Sequence, residues 1–225
     1  MVLHDPESAN AGKVTAMARK GMLLVLMQPP AHLEEEYNDW YDTEHLADRL
    51  SAPGFETGQR YVSAGGGPRT YIAVYDLADV HVLETPEYRK LSGSSFTPWT
   101  KRLMRRIRRY RMLTEQIFPG DAISQSCSYL FLTRFSGLSK TDESAVIGAV
   151  ETSFTRQPQV IQSRVFAEEK DGATNYLVLV GGCAPVEHAM TVENLGRRVA
   201  GSADLAISLV PHRIGMTWER SIEEG

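Results

Sequence analysis

The chain has 225 residues, 42% hydrophobic and 23% charged, with a formal net charge of -4. This is ordinary for a globular protein and excludes a collagen-like fibre, a disulfide scaffold and a wholly disordered chain. The longest unbroken apolar run, Met22 to Met27, is six residues, far short of the roughly 20 that a membrane-spanning helix needs, and the acidic balance argues against wholesale binding of nucleic acid.

Residues 1–20 lack an apolar core and carry Asp5 and Glu7. They read as a flexible tail rather than a secretory signal, and the expected location is the cytoplasm. Met22 to Met27, stopped by Pro29-Pro30, predicts a buried strand. Leu33 to Leu50 has no Gly or Pro and carries its apolar residues at helical spacing up to Pro53-Gly54, a helix stop. Phe55 to Ser63 and Thr70 to Leu77 predict two strands around a Gly65-Gly66-Gly67-Pro68 turn. Thr85 to Arg106 predicts helical pieces broken at Gly93 and Pro98, and Arg109 to Phe118 a further strand.

The same order then recurs. Cys127 to Phe135 predicts a strand, Lys140 to Phe154 a helix, Val160 to Glu168 and Asn175 to Val180 two strands, Val186 to Ala200 a helix, and Leu205 to Trp218 a last strand. Tyr71 and Tyr176 occupy matching places, 105 residues apart. That period is too long for a solenoid and fits a duplicated small domain. The expected fold class is α+β: two tandem ferredoxin-like βαββαβ units, one over 21–120 and one over 124–221. Their bare sheet faces pack together and their helices lie outside.

Glu36-Tyr37-Asn38-Asp39-Trp40-Tyr41-Asp42-Thr43-Glu44-His45-Leu46, followed by Pro53-Gly54-Phe55 and Arg60-Tyr61, resembles the first helix and second strand of EthD-like proteins, members of the dimeric α/β-barrel superfamily. The signature covers about 30 residues, while the duplicated element order spans nearly the whole chain. The resemblance implies an intramolecular α/β-barrel with a ligand cleft between sheet and helices. Members include cofactor-independent oxygenases, cyclases, isomerases, dehydratases, haem proteins and accessory proteins of degradation pathways, so the fold does not choose the chemistry. The first helix of the second half, Thr141 to Arg156, has no Trp, Tyr or His. One pocket, in the first half, is therefore expected, with the second half mainly structural.

His45 is the sharpest candidate, because imidazole exchanges protons near neutrality. A helical wheel at about 100° per residue sets it off the buried stripe, which has Leu33, Trp40 and Ala47 on one side and Leu46 and Leu50 on the other, and places it beside Tyr41 and Asn38. Either the cleft runs along that face or His45 caps the helix at the surface. Tyr41 and Asn38 would orient the imidazole or bond a substrate hydroxyl, and Glu44 would set its charge. Trp40, Tyr37, Tyr61 and Tyr75 are either core residues or walls for an aromatic ligand. Arg60 is either an ion pair with Glu34, Glu35 or Glu36 or a clamp on a carboxylate or phenolate. Tyr88 and Trp99 fall where the resemblance implies a cleft rim. Lys101 to Arg111 has seven basic residues among eleven and reads as a solvated helix end entering an edge strand, without the aromatic comb of a single-strand binder.

No nucleotide loop, HExxH or GxSxG motif is present in the sequence. The expectation is a cofactor-independent acid–base enzyme with no metal: a lyase, isomerase or cyclase, including retro-aldol carbon–carbon cleavage, acting on a small oxygenated aromatic or hydrophobic molecule. A non-catalytic small-molecule carrier or accessory protein is the first alternative, and a haem or metal enzyme using His45 the second. The expected partner is a small molecule, with no nucleic acid and no membrane, and the chain is a pseudo-dimeric monomer or a homodimer. Cys127 and Cys183 read as free thiols, expected at opposite ends of parallel strands.

Overall fold

The computed structural model describes residues 19–66, 68–154, 156–186, 196–197, 203–212 and 218–219. The tail expected over 1–20 falls outside the described residues up to residue 18, as does most of the helix expected over Val186 to Ala200. In the first half, β1 (Gly21–Gln28) leads into α1 (Glu34–Trp40), a π turn (Tyr41–His45) and α2 (Leu46–Ser51). The chain then runs through β2 (Phe55–Ser63), β3 (Tyr71–Leu77), the short helices α3 (Pro86–Lys90) and α4 (Pro98–Met104), and β4 (Arg108–Phe118). Thr85 and Thr97 cap α3 and α4, each accepting a backbone N–H three residues on and each followed by a proline, which explains why this region breaks into short pieces.

The second half supplies β5 (Tyr129–Leu138), α5 (Glu143–Phe154), β6 (Val160–Lys170), β7 (Ala173–Gly182) and β8 (Ala203–Pro211), with a two-residue strand β9 (Trp218–Glu219) added beside β2. Within the halves the strands lie in the orders β4-β1-β3-β2 and β6-β7-β5-β8. The edges then join. Glu115 of β4 faces Ala167 of β6, and Tyr61 to Ser63 of β2 pair with Leu209 to Pro211 of β8. Eight antiparallel strands thereby close into a barrel with helices outside, the α+β architecture implied by the duplication.

Period-two alternation distributes the side chains. Met22 and Leu24 of β1 point into the barrel, where they meet Ile72, Val74, Leu177 and Leu179 from both halves. Leu23, Val25 and Met27 point outward, under the helices of the first half. A strand buried on both faces has to read as an unbroken apolar run, which is why Met22 to Met27 shows no alternation. The barrel also holds a buried ion pair: Arg164 of β6 meets Asp76 of β3 at 2.6 Å, with side-chain exposures of 2% and 0%. Arg164 also donates to Gln116, Ser124 and the Ala122 carbonyl, and Asp76 accepts from Thr57 and the Ser124 amide.

One expectation is corrected. Tyr129 pairs with Gly182, so β5 and β7 are antiparallel, and Cys127 and Cys183 lie at the same end of the sheet rather than at opposite ends. A helical crossover followed by a hairpin reverses the third strand relative to the first. Both cysteines are free. Among the described residues no helix is long and apolar enough to cross a membrane.

Candidate functional site

The helix that crosses the first-half sheet begins with Glu34, Glu35 and Glu36, three carboxylates at the end where the helix dipole favours negative charge. Its buried face carries Tyr37, Trp40, Tyr41, His45, Leu46, Arg49 and Leu50. The π turn sets the phase of that face. In an unbroken α-helix His45 would stand about 140° from Trp40. The wider turn at Tyr41–His45 instead stacks the two rings, with centroids 4.3 Å apart and planes 30° apart. His45 is 7% exposed, so the reading of it as a surface cap does not hold, and Ala47 moves out to solvent.

Beneath this helix lies a cavity of about 280 Å³. Leu23, Val25 and Met27 of β1 form its apolar floor, and Tyr75 of β3 and Met104 of α4 add to it. His45 and Arg49 line the helix side, Tyr88 and Phe96 the rim, and Arg109 and Arg111 of β4 the far side. The volume lies near the lower end of the roughly 300–1,000 Å³ usual for small-molecule sites. Among the described residues no Asp or Glu lines it.

The electrostatics follow from that composition. Burial, and then the guanidinium groups of Arg49, Arg60 and Arg111, hold the His45 imidazole well below its ordinary 6.5, so the ring is neutral at pH 7. Arg49 Nε donates to His45 Nε2 at 3.5 Å, a long and weak bond that leaves the ring proton on Nδ1. The hydroxyls of Tyr41 and Tyr75 share a bond of 2.9 Å. Burial pushes Tyr75 up to about 12 and Tyr41 well above the usual phenol range, so both are neutral phenols. Arg49 is 4% exposed, its guanidinium carbon lies 5.1 Å from the Tyr88 ring centre and 5.5 Å from that of Phe96, and its Nη1 is buried without a hydrogen bond.

The remaining sequence candidates divide by position. Tyr75 and Tyr88 line the cavity, and Tyr88 accepts from Arg111 Nη2 at 3.2 Å. Tyr41 stands behind it, its ring edge-on to His45 at 5.0 Å. Trp40 packs in the core and donates to Thr100 Oγ1 at 2.9 Å. Tyr37 packs between Tyr41 and Tyr71, and Tyr61 points into the barrel and donates to Gln59. Trp99 donates to Glu36 at 2.8 Å.

Arg60 lies outside the cavity lining. It is paired with Asp42, bonded to Asn38 Oδ1 at 2.8 Å and set 4.3 Å from the Tyr41 ring centre, so its partner is Asp42 rather than Glu34, Glu35 or Glu36. Asn38 also donates to Tyr71 at 3.1 Å. Glu44 accepts from Thr97 and Thr100, tying the helix to α4. The charges that act on the imidazole, after burial itself, are the guanidinium groups of Arg49, Arg60 and Arg111, not the Glu44 carboxylate.

Sequence reasoning missed Arg49, Phe96, Met104, Arg109 and Arg111. A signal existed for Arg49, which stands four residues after His45 on the same helical face. A second existed for Arg109, Arg111 and Leu113, which alternate along β4 in step with Met27, Val25 and Leu23 of β1. Among the described residues no group of three His, Cys, Asp or Glu side chains is placed to hold a metal ion. An iron bound at His45 Nε2 would have to take the place of the Arg49 guanidinium, so the donor set does not fit an axial ligand.

The sequence matches no protein-family model and no curated protein. Solved structures share the architecture over nearly their whole length. An anthrone oxidase-like protein aligns over 90% of this chain and 94% of its own at 11% identity and a TM-score of 0.61. A Fusobacterium nucleatum protein with a provisional monooxygenase assignment aligns over 91% and 99% at 8% identity and 0.55. A chlorite dismutase variant from Candidatus Nitrospira defluvii, crystallised with cyanide, aligns over 92% and 96% at 7% identity and 0.55. These likenesses establish the dimeric α/β-barrel fold.

Proposed function

We propose that the protein is an enzyme that moves a proton on a small oxygenated, largely apolar molecule held between the first-half sheet and its helices. The observation that carries this reading is a buried imidazole, neutral at pH 7, lining a cavity with an apolar floor and an excess of positive charge. The molecule's body rests on Leu23, Val25, Met27 and Met104. His45 accepts the proton on Nε2 as the long Arg49 Nε–H contact gives way, the electrons of the broken C–H bond form the C=C bond of an enolate while the carbonyl electrons pass to its oxygen, and the field of Arg49 and Arg111 favours the developing oxyanion. Return of the proton at another atom gives isomerisation; attack of the enolate carbon on a carbonyl of the same molecule, whose oxygen then takes the proton, gives cyclisation; and removal of a β-hydroxyl proton in place of the C–H proton forms a new C=O as the C–C bond breaks and its electrons pass into the enolate, which is retro-aldol cleavage.

The EthD-like resemblance of Glu36 to Leu46 belongs to this reading. So does the likeness to an anthrone oxidase-like protein, because an aromatic ketone carries the kind of acidified C–H that such a site addresses. No nucleotide or metal enters the proposed step.

The test is deuterium uptake from D₂O into a panel of aromatic ketones and phenols, with the buffer rate subtracted. The protein accelerates uptake, and His45→Ala lowers that rate by roughly 10²–10⁴ while its circular dichroism is retained. Uptake by His45→Ala at the wild-type rate removes His45 from the mechanism. Ligands bound and released unchanged, with no uptake by the wild-type protein, identify a carrier instead.

A further inference from the structure

Arg49 presents an unbalanced charge. Its side chain sits on α2 beneath the helix layer and is 4% exposed. Tyr88 and Phe96 pack on the guanidinium, and its Nε edge faces a neutral imidazole. Nη1 is buried with no hydrogen bond, and among the described residues no carboxylate lies within ion-pair distance of this arginine. The contrast with the chain's other deeply buried arginines is direct: Arg60 meets Asp42 and Arg164 meets Asp76. A buried cation without a counter-ion is costly, and proteins pair such groups unless a ligand completes them. Arg109 and Arg111 add positive charge to the same cavity.

We infer that the pocket takes monoanions, molecules with one anionic oxygen group on a flat apolar body, and that Arg49 is the group that binds this anion. Arg49 lines the cavity, and its planar guanidinium, whose buried Nη1 has no partner in the ligand-free protein, turns an N–H toward a carboxylate or phenolate oxygen when one enters. The floor of Leu23, Val25 and Met27, with Tyr88 and Phe96 at the rim, accepts the flat body. The inference rests on the pocket being the substrate site, and it names the class of substrate that the site accepts.

Three probes of one shape test it in calorimetry with the full chain: 2-naphthoate, 2-naphthamide, and 2-naphthol measured below and above its ionisation. The wild-type protein binds naphthoate at least about tenfold more tightly than the amide, the scale of one charge-assisted hydrogen bond. Tighter binding of ionised naphthol than of the carboxylate assigns the anion as a phenolate, and the reverse order as a carboxylate. In Arg49→Met the preference over the amide disappears, while amide binding stays within about threefold. The ligand-free variant melts about 2–4 °C higher, because an unpaired buried charge has been replaced by an apolar side chain of similar length.

His45→Ala keeps the anion preference. Loss of turnover in that variant with the preference retained separates the proton-transfer reading from this one. Equal binding of naphthoate and naphthamide by the wild-type protein, or no naphthoate binding at millimolar concentration, overturns the inference. These two results are read on the wild-type protein alone, so they decide the question even if Arg49→Met does not fold.

Discussion

His45 differs from an ordinary histidine through its surroundings alone. Burial and three guanidinium groups disfavour its charged form. Its folded pKa is therefore depressed below the unfolded value. Below about pH 6.5 the unfolded chain takes up a proton that the folded one refuses, so stability falls with falling pH in that window, by about 1.4 kcal/mol per pH unit until the folded group titrates. Urea unfolding at pH 7.5 and 5.5 checks the sign. The wild-type protein loses about 1 kcal/mol more on acidification than His45→Gln; equal losses would show that the imidazole titrates normally. The residue types of this site were legible in the sequence, and their alliances were not. Arg60 and Arg49 are both arginines of the first half. Only the structure distinguishes the one neutralised by Asp42 from the one facing the cavity.

At the scale of the element, the strands were readable because period two survives in them, whereas the first helix misled at one point. A wheel assumes a constant turn, and the π turn at Tyr41–His45 adds one residue to it. The wheel is correct before Trp40 and out of phase after it, which is why it placed His45 off the buried stripe and Ala47 on it. A π turn equivalent to an insertion makes a specific prediction. Deleting the exposed Thr43 converts the segment to regular helix, leaves His45 four residues from Trp40 on one face, and costs no more than about 2 kcal/mol. Deleting Ala47 instead rotates Arg49 and Leu50 off the buried face and abolishes cooperative thermal unfolding. Equal tolerance of the two deletions would mean that the π turn does not set the phase.

For the whole molecule, the duplication was visible as a repeated element order, and the barrel followed from the need to cover two bare sheet faces. The seams were not visible, because the pairing of β4 with β6 and of β2 with β8 joins residues about 50 and 150 positions apart and no local pattern encodes it. The Asp76–Arg164 pair gives the joined halves a polar anchor inside an apolar barrel. Arg164→Met leaves Asp76 buried without its cation and costs about 3–5 kcal/mol in urea unfolding, and adding Asp76→Leu recovers part of that loss. A change below about 1 kcal/mol in the single variant would show the halves held by apolar packing alone.

One buried imidazole, held neutral beside a half-open, positively charged pocket, is the proposed proton acceptor. The most direct measurement is the ring titration of His45 by ¹⁵N NMR on the full chain, with His45→Gln to assign the signal, in the absence and presence of 2-naphthoate. The expected result is a neutral ring with the proton on Nδ1 down to well below pH 6.5, and an upward shift of the titration when the anion neutralises Arg49. A ring that titrates near 6.5 and ignores the anion would contradict it.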